Sequence, residues 1–520
     1  MKKLMMITLV VAAMLLPVSS VFAVEMLIGP TGVIQYDEEN SLNGYVLFSV
    51  AGNTKSILID MEGYVVHEWL TNSGPGLHDR LLPNGNLLRG FTPTVDYDGN
   101  PIDPRATGVS IGGTAGGVQE FTWDGQLIWE YVNRTTTSVQ HHTFFRDPVS
   151  NNTFVLLWEK WECDDAIAAG RDPDTCTPSD GLWPDYIEEV DHTLLPGRPA
   201  VVWEWHVKDH LVQDFNPAMP NYGDPSVNLD KLDLNFWYPV PWGFKDWNHG
   251  NTVEYNPDRD EVIFNSRNWG EFYVIDHATG NIVYRWGNPC TSGNGECPSF
   301  NDNGDEILFG AHCARFIDGS DNIIVFDNGW VRPTGNNSRS VEVGRDTSID
   351  LSANPAQDYP DDPIVWSYQS LDPNGFYTTF QGGTERLPNG NTFITSTDGG
   401  HLFEVTPDKK VVWEFIAPPR DRNTDAAICI NNDRVGATIH RAHMFPKDYP
   451  AFAGKDLSRK YHIAEGCTEF WKIWNEQVYP GGAAPAAPPA PGGWGTSSMS
   501  IGGGGGGSAG GSSSGGGSAY

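Results

Sequence analysis

Five histidines recur at one place in a repeating pattern: His78, His142, His249, His312 and His440 each stand just before an apolar hairpin. Their surroundings differ, as in Asp246-Trp247-Asn248-His249-Gly250-Asn251 and Gly310-Ala311-His312-Cys313. Two further segments break the local pattern. Arg339 follows Asn336-Asn337-Ser338, and His401 opens an apolar run after Gly399-Gly400. Histidine donates hydrogen bonds and moves protons near neutral pH. Arginine is a permanent planar cation that matches oxyanions. The competing reading is that the histidines only hold loops, as in some repeat proteins; their unlike contexts argue against it. No Cys/His spacing resembles a zinc site or a haem attachment, no nucleotide-cradling glycine loop is present, and no cofactor is expected. Asn301-Asp302-Asn303-Gly304-Asp305 faintly resembles a calcium loop, but an acidic surface turn explains it better.

These residues must be positioned by a scaffold, and the scaffold is a repeat. A turn, two aliphatics, an aromatic and usually an acid with a second aromatic occur six times. The copies end at Trp69, Tyr131, Trp205, Trp286, Tyr368 and Phe415. Most are preceded by another apolar run and a tight Gly or Asp turn, the pattern of an antiparallel hairpin. A second hairpin type lies upstream, clearest in Leu82-Pro83-Asn84-Gly85-Asn86 and Leu387-Pro388-Asn389-Gly390-Asn391. Two hairpins make a four-stranded blade, and six units make an all-β, six-bladed β-propeller. Spacings longer than a bare blade predict insertions at one rim. The first strand of each blade would line the channel, so the recurrent histidines would converge near the axis. A pair of β-sandwiches is the alternative architecture, and it does not explain whole four-strand repeats.

Outside the repeats, residues 1–23 read as a signal peptide: Lys2 and Lys3, an apolar stretch, then Val21-Phe22-Ala23. Residues 24–479 form the propeller, with no large N-terminal domain. Residues 480–520 are rich in Pro, Ala, Gly and Ser and are expected to be a disordered tail. No stretch is long enough for a comfortable membrane span. Seven cysteines in an exported chain suggest disulfides, with Cys163–Cys176, Cys290–Cys297 and Cys429–Cys467 as local pairs and Cys313 left over. The formal charge of −33 argues against nucleic acid or anionic membrane as a partner.

Segments spread over 43–447 carry a family resemblance: LPNGN, DWNHGN, FNSRNWGEFYVID, FDNG, SRSVEV, GGHLFEV and Thr438-Ile439-His440-Arg441-Ala442-His443. In order and spacing they resemble the bacterial arylsulfate sulfotransferases, the exported type that does not use a nucleotide sulfate. The resemblance implies a six-bladed propeller with its site in the central channel. It also implies transfer of a sulfuryl group from an aryl sulfate to a phenolic acceptor by a ping-pong route through a sulfohistidine. Carried over, His401 is the sulfated residue, and His249, His312 and Arg339 bind the sulfuryl group. Thr438, His440 and Arg441 close the site. No metal is implied. The implied partners are a small aryl sulfate and a phenol, with a disulfide-forming oxidoreductase during maturation, in the periplasm or outside the cell. The acidic surface opposes an anionic substrate, so local arginine and histidine must supply the binding, and activity should hold or rise with added salt. The rivals are a non-catalytic extracellular propeller with a binding or assembly role, and a hydrolase or lyase of other esters or sugars.

Overall fold

The computed structural model describes residues 31–51, 53–71, 73–103, 111–192, 198–237, 245–370, 376–418 and 438–465. The signal peptide, the Pro/Gly-rich tail and the Cys429–Cys467 pair lie outside these residues. Six antiparallel sheets of four or five strands make up the described chain, a six-bladed propeller. Blades 2 to 5 each come from consecutive strands, for example Gly250–Asn256, Glu261–Ser266, Glu271–Asp276 and Ile282–Trp286 in blade 4.

Blade 1 closes the ring. Its outer strands Gly44–Ser49, Lys55–Asp60 and Tyr64–Leu70 come early in the chain, and its innermost strand is the late segment His443–Pro446. Tyr461–His462 adds to its outer edge. Blade 6 is closed in the opposite sense: Gly32–Tyr36 pairs with the outer strand Val411–Ile416. A strand thus precedes the first predicted one near Tyr45.

The sixfold phrase is each blade's outermost strand, and its aromatic residues hold neighbouring blades together. Trp69 Nε1 donates to Thr122 O of blade 2 at 3.1 Å. Trp205 reaches Gly280 O of blade 4, Trp286 reaches Asp362 O beside blade 5, Trp366 reaches Pro407 O of blade 6, and Trp413 reaches Met61 O of blade 1. In blade 2 Tyr131 plays this part, donating to Glu188 of blade 3. The phrase therefore repeats because each blade anchors an indole or phenol, buried in every blade but the fifth, on the turn or sheet of the next. The apolar core is likewise divided among the seams between blades.

Antiparallel alternation sorts the connections. The turns that join first to second and third to fourth strands fall at one rim, together with the 344–363 insertion of blade 5. The heads of first and third strands, and most other long insertions, fall at the other. The helix Cys163–Ala168 and the disulfides Cys163–Cys176 and Cys290–Cys297 are on this insertion face. So is the short parallel ladder of Leu211–Val212 with Leu232–Asp233. Cys313 is free and buried. Among the described residues no helix is long and apolar enough to cross a membrane.

Candidate active site

At the insertion face the inner strands carry a recurrent irregularity. Register shifts interrupt the first-strand pairing in blades 2, 3, 4 and 5. A residue with left-handed backbone accompanies each: Leu77 (φ 79°), His142 (φ 45°), His249 (φ 50°) and Cys313 (φ 58°). Such bulges cost local strain and re-aim side chains. Here they belong to the stretches that bring the histidines together.

His142, His249, His312 and His440 form a crown. The His142 ring centroid lies 5.1 Å from that of His249, 6.3 Å from His312 and 6.1 Å from His440. All four are buried. Each ring is held differently. His249 Nδ1 donates to Asp246 at 2.8 Å. His312 Nδ1 faces Asn328 Oδ1 at 2.7 Å and Gly310 O at 2.9 Å, both acceptors, so Nδ1 carries the proton. Its Nε2 accepts Gln381 N–H at 3.2 Å. His142 Nδ1 meets His141 Nδ1 at 2.9 Å. Among the described residues His440 has no hydrogen-bond partner at either ring nitrogen, and both atoms are enclosed. Burial, reinforced by neighbouring cationic groups, holds His142, His312 and His440 well below the usual histidine range, so these three rings are neutral at pH 7.

Two buried arginines flank the crown. Arg441 adjoins His440, and its Nε and Nη2 have no hydrogen-bond partner among the described residues. A cation so enclosed and so poorly paired fits a site that awaits an anion. Arg267, brought down to about 10 by burial, lies near His312 and Asp246. Its guanidinium packs on Trp330 at 4.5 Å and on the half-exposed Phe380 at 5.3 Å, giving an aromatic wall at the mouth. Burial disfavours charge on Asp246, but His249 outweighs it, with help from Arg267, and the carboxyl lies below its ordinary range.

Two to five residues further along the inner strands, a charged chain crosses the channel. Arg80 pairs with Glu254 at 2.7 Å, Glu254 with Arg315 at 2.9 Å, and Arg315 with Glu385 at 2.6 Å. His443 Nδ1 follows at 2.8 Å from Glu385, and its Nε2 is 3.0 Å from His78 Nε2. Blade 3 completes the circuit with Phe144, stacked on His78, and Phe145, beneath Arg80. The chain forms a floor, so the crown is reached from the insertion face. Four arginines (80, 267, 315 and 441) stand against the carboxylates of Asp246, Glu254 and Glu385. The channel thus carries an excess positive charge in a chain whose net charge is −33.

The site residues expected from the sequence divide between this channel and its surroundings. His249, His312, His440 and Arg441 are in it. Thr438 lies at its edge, where its carbonyl accepts Ala51 N–H at 2.8 Å. His401 and Arg339 occupy heads of third strands, one step out from the inner strands. His401 Nε2 bonds Glu414 Oε1 at 2.8 Å, and its ring lies 4.6 Å from that of Phe403. Arg339 donates to Asp327 Oδ2 at 2.6 Å and to Ile307 O at 2.7 Å. It lines a surface cleft of about 390 Å³ with Arg332, Asn337 and Gln369. His142 belongs to the crown but did not stand out beyond its place in the repeat. Arg267 lies inside the quoted FNSRNWGEFYVID segment, yet nothing in its spacing marks it. No group of histidine, cysteine and acidic residues among the described residues is arranged to hold a metal ion.

Comparison with known proteins gives one family. Residues 184–415 match the model for Arylsulfotransferase (ASST). No curated protein matches the chain. Among solved structures, a protein of unknown function from Bacteroides caccae is 12% identical, with 76% of this chain and 98% of that one covered and a TM-score of 0.39. A protein from Lactobacillus plantarum is 10% identical, covering 78% and 99%, with a TM-score of 0.37. A streptogramin B lyase is 10% identical, covering 82% and 96%, with a TM-score of 0.35. Likeness at this level carries no argument about function.

Proposed function

We propose that this chain, whose residues 184–415 match the arylsulfotransferase model, is an aryl-sulfate sulfotransferase that works by ping-pong transfer through a sulfohistidine formed on His440. The observation that supports the assignment is the His440 imidazole: buried, neutral, without a hydrogen-bond partner at either nitrogen among the described residues, and beside the open donors of Arg441. A nucleophile needs a lone pair that no hydrogen bond occupies. His401, to which the family resemblance gives this role, has its Nε2 on Glu414 instead.

In the proposed reaction the aryl ring rests on Phe380 and Trp330 and the sulfuryl oxygens meet Arg441, Arg267 and His249. His440 attacks sulfur in line with the departing phenolate. Sulfuryl transfer, like phosphoryl transfer, spreads charge over the equatorial oxygens, so catalysis is positioning plus cationic stabilisation. His312, pinned by Asn328 and Gln381, shapes the pocket and donates nothing at Nε2 as it stands. A phenol then takes the sulfuryl group from His440. Thr438 helps to seat the closing segment. Two disulfides agree with export to the periplasm or beyond, after removal of residues 1–23, and with maturation by a disulfide-forming oxidoreductase. Residues 24–479 are proposed as the propeller unit, and 480–520 as a tail outside it.

The test is peptide mapping of enzyme quenched with an aryl sulfate and no acceptor. A sulfuryl-sized mass increment on His440, absent in His440→Ala, is expected. An increment on His401 would move the nucleophile outward. Transfer without any covalent increment would replace ping-pong by direct displacement.

A further inference from the structure

Behind His142 lies a buried chain of three ionisable groups. His142 Nδ1 is 2.9 Å from His141 Nδ1. His141 Nε2 is 3.0 Å from Asp185 Oδ1, off ideal hydrogen-bond alignment; the Leu157 carbonyl also faces the His141 ring, and the Trp158 side chain also faces the Asp185 carboxyl. The other carboxylate oxygen, Oδ2, accepts Gly250 N–H at 2.7 Å. His141 is clamped on Trp158, rings stacked 3.6 Å apart. Gly113 covers His142 so closely that a Cβ there would sit 2.0 Å from its ring. All three side chains are at most 2% exposed. Such a chain is a costly thing to bury unless its protons are used.

The connectivity allows two arrangements of the protons. With Asp185 protonated, its hydroxyl donates to His141 Nε2, His141 Nδ1–H donates to His142 Nδ1, and His142 Nε2–H is left as a donor toward the crown. With Asp185 ionised, every hydrogen bond reverses and His142 Nε2 becomes an acceptor. The two states differ by one proton at the channel end.

We propose that Asp185, His141 and His142 form a proton-lending relay, with His142 the acid–base group that touches the phenolic oxygen. The inference rests on the transferase reading above. In the first half-reaction the sulfur–oxygen bond to the leaving aryl group breaks as sulfur bonds to His440. The departing oxygen takes the proton from His142 Nε2, and the chain shifts to the ionised Asp185 state. In the second half-reaction the acceptor hydroxyl gives its proton to His142 Nε2 as its oxygen bonds to sulfur. The sulfur–nitrogen bond breaks, and the relay returns to its resting state. No proton is exchanged with solvent over a full cycle.

His249 and Asp246 are not an equivalent store. Asp246 is held ionised by His249 with help from Arg267. Burial instead pushes the Asp185 carboxyl well up, so it can keep the proton at rest.

The test compares two donors in wild type, Asp185→Asn and His141→Gln. Phenyl sulfate releases a phenol about as basic as tyrosine, about pKa 10, which needs a proton as it leaves. A nitrophenyl sulfate releases a stable phenolate. In both variants single-turnover release from phenyl sulfate should fall about 100-fold, the low end for general acid catalysis, while release from the nitrophenyl donor changes by less than about threefold. Equal losses on both donors, or no loss on either, would overturn the relay while leaving the transferase intact. His141→Gln keeps the Asp185–Gly250 contact, so it answers the question even if Asp185→Asn fails to fold. A wild type that transfers from neither donor would refute the transferase reading itself.

Discussion

Arg441 offers a perturbation in which activity and stability should move in opposite directions. Arg441 is 3% exposed, and two of its guanidinium nitrogens lack a hydrogen-bond partner among the described residues. Consider Arg441→Met, which keeps most of the volume and removes the charge. A unit cation about 5 Å from the sulfuryl charge, at an effective dielectric near 20, contributes about 3 kcal/mol. Its loss should lower kcat/KM for an aryl sulfate about 100-fold. Most of that loss should fall on KM, because the sulfuryl group is already anionic in the ground state. The folded protein without substrate should gain, since a poorly paired buried cation is replaced by an apolar side chain. Stabilisation of about 1–3 kcal/mol is expected, or a Tm higher by about 1–2 °C per kcal/mol in a domain of this size. The assays are steady-state kinetics with an aryl sulfate and thermal melting with and without it. Wild type should be stabilised by the donor and the variant should not. A variant that melts lower and keeps kcat/KM within about threefold would show that Arg441 is a structural cation, and the anion-site reasoning would be wrong.

Two further outcomes follow from the geometry. Burial raises Glu385, but His443 and Arg315 outweigh it and bring the carboxyl down to about 2. A depressed carboxyl contributes stability above its unfolded pKa, and this is lost as pH falls from about 4.5 toward 2, up to about 3 kcal/mol in all. Glu385→Gln should therefore flatten the fall of Tm between pH 5 and 3, and an unchanged slope would sink the assignment. Arg339→Lys should retain kcat/KM within a few-fold, because Arg339 faces Asp327 and the outer cleft rather than the crown; a severe loss would bring Arg339 back into the site.

The fold was legible because its signal is redundant. The blade-closing phrase occurs six times, and a single aberrant copy such as His67 in blade 1 does not hide the rest. The histidine crown was legible for the same reason: His142, His249, His312 and His440 hold equivalent places in their units. What the spacing did not reveal is radial position. His401 and Arg339 begin strands as clearly as His312 does, but third strands are one layer farther out, and a linear pattern does not distinguish the layers. Arg267 and Asp185, to which the proposals above give roles, carry no such signal. They approach the channel from outer-strand positions, Arg267 just past the end of a second strand and Asp185 through His141. The closing strand was likewise invisible, since His443–Pro446 pairs with Gly44–Ser49 across almost the whole chain.

That long-range pairing has a temporal side. The segment 438–446 supplies His440, Arg441 and the inner strand of blade 1, yet it is translated after the other blades. A chain that has made every blade but this one holds most of a propeller and lacks the proposed nucleophile. On that proposal catalytic competence and ring closure arrive in one event, and turnover becomes a direct reporter of whether an individual molecule has finished folding.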